Sequence, residues 1–207
     1  MNWTLSHWPE ILEALGQHLV LVLASIAIAF ALALALGIAI ARRPRLSAIV
    51  IGTTGAIYAV PSLALFAMLI PLVGLGRAPA IVGLSAYALL VLVRNVATGL
   101  RGVPAEVLDA ARGMGFGPWR SLLRIELPLA LPVIVAGLRI ATVTLIGIAT
   151  IAAYVNAGGL GALIFAGIDQ RFAEKILVGG GLASALAIGA DVALTRLERR
   201  LGAQVAA

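Results

Sequence analysis

Leu19 to Ala41 reads LVLVLASIAIAFALALALGIAIA, 23 residues without a charged side chain. At 1.5 Å per residue a helix over this stretch reaches about 35 Å, enough to cross a hydrocarbon core of about 30 Å. This is a spanning helix rather than the core helix of a soluble domain. The rest of the chain agrees, since 62% of its 207 residues are hydrophobic and only 12% are charged. A composition so far from that of a soluble domain makes lipid the solvent for most of the surface. The expected fold is all-α and polytopic, with residues 1–207 forming a single transmembrane domain.

Outward from that stretch, five apolar segments are marked off at about 18–41, 46–75, 78–100, 129–154 and 176–195, and each is read as a helix. The second carries no charge from Leu46 to Gly76. As one straight helix it would be roughly 46 Å long, too long for the bilayer, so Pro61 and Pro71 are expected to break or kink it. Positive charge alternates between the connections. Arg42, Arg43 and Arg45 follow the first segment, Arg101, Arg112, Arg120 and Arg124 lie between the third and fourth, and Arg196, Arg199 and Arg200 follow the fifth. The opposite side receives Arg77, Arg171 and Lys175, while Arg94 and Arg139 fall inside apolar stretches. Cytoplasmic loops carry the excess of Lys and Arg, so the N-terminus is expected outside and the C-terminus in the cytoplasm. Trp3 and Trp8 suit an anchor at the outer interface. Residues 1–17 carry Glu10 and Glu13 but no Lys or Arg, unlike a cleaved signal peptide, so they are expected to stay on the mature protein.

Several chemistries have no residues to carry them. There is no cysteine, which removes disulfides and thiolate metal sites, and His7 and His18 stand without a companion ligand cluster. No cofactor is expected. The net charge of +6 is placed beside apolar spans, where it fixes orientation and does not point to nucleic acid. The 23 glycines, with abundant alanine, are read as small residues that let helices approach in lipid. A membrane enzyme would need convergent His, Ser, Cys or carboxylate groups, and the spans offer only scattered Ser and Thr with Asp191. A passive channel or secondary carrier is the other rival, and such carriers commonly have internal repeats and more spans than five. Charges inside spans are costly, and Arg139 with Asp191 is read first as a structural pair.

Residues 103–128 differ in kind: VPAEVLDAARGMGFGPWRSLLRIELP is charged, glycine-rich and long for a membrane-protein loop. Pro104 is expected to open a helix that Gly113, Gly115 and Gly117 end, and Pro118 to start a second helix that Pro128 ends. Val107, Leu108, Ala110, Ala111 and Met114 give the first helix an apolar surface suited to a groove on another protein. A Gly-x-x-x-x-Gly-Lys-Ser/Thr phosphate cradle is absent, so a nucleotide site would have to lie on a partner.

Asp109, Ala110, Ala111, Gly115, Ile125, Leu127 and Pro128 stand at the spacing of the signature of ABC-importer permeases, and the chain resembles that family. The resemblance implies a type I ABC-importer permease fold in which the short helix before the glycine docks on an ATP-binding ABC ATPase subunit and relays its closure to the membrane helices. It also implies a second permease subunit, identical or paralogous, an extracytoplasmic solute-binding protein, and the bacterial cytoplasmic membrane. Asp109 stands where the family usually has Glu.

Val60–Leu65, Leu92–Gly99, Glu126–Pro132 and Asn156–Gly161 further resemble the permeases for osmoprotectants such as glycine betaine, choline and carnitine, over roughly residues 17–195. Related permeases carry methionine or other amino acids, which remains the alternative substrate class. A quaternary ammonium offers no hydrogen-bond donor and is recognised by aromatic faces. Aromatics are only 5% of this chain. Tyr58, Phe66, Tyr87, Tyr154 and Phe165 are the aromatic candidates near a solute path, with Pro61, Ser62 and Asn95 beside them. The segment from Val155 to Lys175 is a candidate landing surface for the binding protein.

Overall fold

The computed structural model describes residues 2–206, with side-chain surroundings for 3–203. Among the described residues every regular element is helical. A short α1 (Asn2–Ser6) precedes α2 (Trp8–Ile40), then come α3 (Pro44–Ala59), α4 (Ser62–Val73) and α5 (Arg77–Arg101). After α6 (Ala105–Gly113) and α7 (Pro118–Ser121), a π-turn at Leu122–Glu126 leads into α8 (Leu127–Ile151), followed by α9 (Leu160–Asp169) and α10 (Ala173–Ala206).

Contacts fix the helix directions. Ser85 Oγ donates to the Ser25 carbonyl at 3.2 Å, and Arg101 Nε donates to the Ala41 carbonyl at 2.8 Å, both across 60 residues of sequence. An equal offset at both contacts means that α2 and α5 run parallel. α8 runs against them, with Gly137 facing Asn95 and Gly99 facing Ala130. α10 runs with α2: Thr4 bonds Glu174 at one end, and Arg139 of α8 meets Asp191 and Glu198 toward the other.

Parallel α2 and α5 require α3 and α4 to return the chain across the layer. That pair is bent by 100°, and four further helices are long and apolar enough to cross a membrane, which gives up to five crossings when the bent pair counts as one. The segment 46–75, expected to be broken or kinked at Pro61 and Pro71, is two helices. Its break is at Pro61, which pushes Val60 to an extended conformation (φ −68°, ψ 131°). Pro71, in contrast, sits inside α4, which continues to Val73.

Other boundaries shift for physical reasons. α2 begins at Trp8, not near residue 18, because its buried stripe already starts at Ile11 and continues through Ala14, His18, Leu21 and Ser25. Glu10 and Glu13 do not interrupt that stripe, because both lie on the exposed side. α10 extends beyond the expected 176–195 at both ends and carries the final arginines on its last turns. The segment 155–175, expected as loop, contains α9 packed on α10, where Gly167 lets the Ile176 backbone approach. Trp3 is not a free anchor: its ring stacks on His7 and meets Phe172 edge-on at 5.9 Å.

The core lies between α2, α5 and α8. Leu21, Leu84, Leu92, Leu145 and Ile146 fill it, and Ala29, Ala33, Ala88, Ala97, Ala141 and Ala149 are buried among them. Small side chains at the crossings let the backbones close without a hydrophobic drive from water. Buried His18 adds a polar tie, its Nε2 donating to the Ile146 carbonyl at 3.2 Å.

Candidate functional site

The segment between α5 and α8 folds at the end of the bundle where Arg42, Arg43, Arg45 and Arg101 also lie. α6 closes in a glycine C-cap: Phe116 N–H bonds the Ala111 carbonyl at 3.0 Å and Gly115 N–H the Arg112 carbonyl at 2.9 Å. This pair of bonds places Gly115 in the left-handed region, at φ +76°. Of the three glycines expected to end the helix, only Gly115 has that conformation. Gly113 is still helical, and Gly117 is extended.

α6 has two faces. Leu108 and Ala111 turn toward the chain itself, Ala111 being fully buried. This corrects the expectation that Ala110, Ala111 and Met114 together form a presented surface. Val107, Ala110 and Met114, at helical spacing, form the exposed face, and beyond the turn Trp119 and Leu123 are exposed as well. Asp109 is exposed and paired with Arg112 at 2.7 Å, a contact worth little in water.

Pro128 does not end the second helix. Leu127 N–H bonds the Leu122 carbonyl, five residues back, and this widened turn gives room where the proline ring would otherwise meet the preceding carbonyls. α7, the π-turn and α8 therefore make one continuous path from the glycine turn into the membrane. Ile125 and Leu127 are half-buried on it, and Leu127 packs on the cluster of Ala41, Val96, Leu100, Ala130 and Ile134. Glu126, which the spacing argument passed over, is buried. It accepts from Ser121 Oγ at 3.0 Å and Arg42 Nη2 at 2.7 Å. Its signal in the sequence was a carboxylate between apolar Ile125 and Leu127 at the edge of the fourth apolar stretch.

The solute-path candidates do not form one cluster. Tyr58, Pro61 and Ser62 gather at the α3–α4 break, where Tyr58 meets Tyr87 edge-on at 5.6 Å and the Tyr87 hydroxyl donates to the Val60 carbonyl. Phe66 is fully buried in the core. Asn95 is tied to the Val91 carbonyl at 2.8 Å and faces Gly137 of α8, away from α3. Tyr154 lies at the far end of α8, exposed and edge-on to Phe165 at 5.5 Å.

Residues 27–203 match the family model described as binding-protein-dependent transport system inner membrane component. The chain is 37% identical to the glycine betaine/carnitine/choline transport system permease protein OpuCB of Bacillus subtilis, over 97% of this chain and 93% of that one. It is 40% identical to the carnitine transport permease protein OpuCB of Listeria monocytogenes, over 89% of this chain and 85% of that one. It is 39% identical to the choline transport system permease protein OpuBB of Bacillus subtilis, over 93% and 88%. Its fold resembles a chain of the inward-facing MetNI methionine ABC transporter, with a TM-score of 0.84 at 24% identity over 95% of this chain and 98% of that one. The five crossings, the helix–glycine–helix segment at the arginine-rich end and these matches agree, and the chain belongs to the family of inner membrane components of binding-protein-dependent transport systems.

Proposed function

We propose that the chain forms half of the translocation path of an ATP-driven importer for a quaternary-ammonium osmoprotectant of the glycine betaine, carnitine or choline type. The observation that carries this reading is the set of exposed apolar side chains Val107, Ala110, Met114, Trp119 and Leu123, placed on both sides of the glycine turn of the permease signature, with α7 running on through the π-turn into α8. An ABC ATPase docked there would move α8 directly. The glycine betaine, carnitine and choline permeases among the relatives support the substrate class.

Five crossings enclose little space, so a second permease subunit is part of the proposal, as is an extracytoplasmic binding protein that delivers the solute. The arginine-rich end faces the cytoplasm in this reading, which puts the N-terminus and the segment around Asn156 outside. The test is uptake by proteoliposomes containing the chain, its ATPase, its permease partner and its binding protein. ATP-dependent uptake of glycine betaine, carnitine or choline is expected only when the binding protein is present. Uptake of methionine with no response to these three compounds would overturn the substrate class, and uptake without ATP would overturn the importer.

A further inference from the structure

A groove of about 730 Å³ opens between α3 and α5, lined by Arg42, Arg94 and Arg101 with Ser47, Gly52 and Gly55 among its other residues, and no carboxylate among the described residues lines it. Two of the three arginines are engaged. Arg42 pairs with Glu126, and Arg101 donates to the Ala41 and Ile40 carbonyls and to Ser47 Oγ. Arg94 is exposed and makes no hydrogen bond or ion pair among the described residues.

Its depth makes this unusual. Arg94 lies seven residues before Arg101, two turns or about 10 Å further into the layer. A guanidinium there is costly unless it faces water or a counter-charge. Snorkelling back to the near end would bring it against Arg101 and Arg42, which already hold that level. Seven residues further on the same face of α5 is Tyr87, edge-on to Tyr58 at the α3–α4 break. Neither tyrosine lines the groove, but Gly55 lies one turn before Tyr58 on α3, so the groove runs from an unpaired guanidinium in the direction of that aromatic pair. Gly52 and Gly55 add no side chains to an α3 wall that Ser47, Ala48 and Ile51 otherwise form.

Resting on the osmoprotectant reading, we propose that this groove is a solute subsite in which Arg94 receives the carboxylate of a zwitterionic quaternary amine, its ammonium end directed toward the exposed ring of Tyr58, which buried Tyr87 backs. A guanidinium binds a carboxylate through two parallel hydrogen bonds, and an aromatic face attracts the alkylated ammonium that no donor or acceptor can hold. The site thus distinguishes a betaine or carnitine from choline, which lacks the carboxylate. An anionic lipid headgroup shares the oxyanion chemistry, but its phosphate sits at the level of Arg42 and Arg101 rather than two turns deeper.

The experiment compares Arg94→Gln and Arg94→Lys with the unaltered chain in the complete importer, using labelled glycine betaine, carnitine and choline, with co-purification of the ATPase reading assembly separately. Arg94→Gln is expected to lower uptake of the two zwitterions roughly tenfold or more and choline less than about twofold, the contrast expected from losing one charge-assisted contact. Arg94→Lys keeps the charge but not the two parallel bonds, so its zwitterion uptake should fall between that of the unaltered chain and that of Arg94→Gln. Equal loss for all three solutes, no loss, or a Lys variant as impaired as the Gln variant overturns the subsite. Unchanged uptake with loss of co-purified lipid phosphorus makes it a headgroup site instead. An unaltered importer that carries choline and neither zwitterion overturns the subsite while leaving the osmoprotectant reading intact; one that carries none of the three overturns that reading itself.

Discussion

Arg42 and Glu126 stand 84 residues apart in sequence and meet at 2.7 Å, joining the corner between α2 and α3 to the π-turn that leads into α8. The pair is asymmetric, because the Glu126 side chain is 9% exposed and that of Arg42 54%. A movement of the α6–α7 segment would therefore act on two membrane helices at once, through α8 directly and through this contact.

The asymmetry predicts which partner matters more for stability. Arg42→Ala leaves a buried carboxylate with Ser121 as its remaining partner, and should cost about 1–3 kcal/mol. Glu126→Gln leaves a half-exposed guanidinium that water can serve, and should cost about 1 kcal/mol or less. In a double-mutant cycle the pair of changes should be milder than their sum. Thermal unfolding of the detergent-solubilised chain measures all three, and strict additivity would show that the contact is not a coupling bond.

Close helix approach gives a second prediction. A Cβ at Gly161 would fall on the Thr150 carbonyl, a backbone atom that cannot rotate away, whereas a Cβ at Gly147 meets nothing within 4 Å. Gly161→Ala should destabilise by about 1–3 kcal/mol, and Gly147→Ala, inside α8 one turn before its end, should be neutral or stabilising by up to about 1 kcal/mol. The same unfolding assay decides. Equal effects at both positions would contradict the packing of α9 against the end of α8.

Apolar runs made the membrane spans legible, because a run bounded by charge needs only length and hydropathy to be read. They gave α5 nearly to the residue. They misplaced the start of α2, where Glu10 and Glu13 sit on the exposed side and the buried stripe continues beneath them. Pro61 was readable as a break, but Pro128 misled, since a proline stops a helix only when the preceding turn stays α, and the π-turn before it is a tertiary adjustment with no local signature. Asn95 was a candidate for the solute path because it is polar within a span. One residue is about 100° around a helix, and it is the neighbouring Arg94 that faces the groove.

The direction of the helices predicts topology. α2, α5 and α10 run parallel and carry their arginine clusters toward one end, so reporters after Arg43, within 104–120 and after Arg200 should all report the cytoplasm, and one near Asn156 the outside. Alkaline phosphatase and green fluorescent protein fusions give opposite readings on the two sides. A cytoplasmic signal near Asn156 would contradict the bent α3–α4 pair as a full crossing.

Gly115 carries the sharpest test of energy coupling. Its φ of +76° is required by the two bonds that close α6, from Phe116 to Ala111 and from Gly115 itself to Arg112. Nothing lies within 4 Å of where its Cβ would be, so a substitution there meets no clash and acts through backbone conformation alone. Valine at a left-handed position should cost roughly 1–3 kcal/mol, and asparagine, which tolerates that region, should cost less. Gly113→Ala is the control, because Gly113 is helical and equally open. The membrane helices are untouched in all three variants, so insertion should be normal. Gly115→Val should release the ATPase on purification, or leave its hydrolysis unresponsive to solute-loaded binding protein, while Gly115→Asn and Gly113→Ala keep both. If the valine variant inserts, holds the ATPase and transports at the unaltered rate, α6 and its glycine turn are not the coupling element.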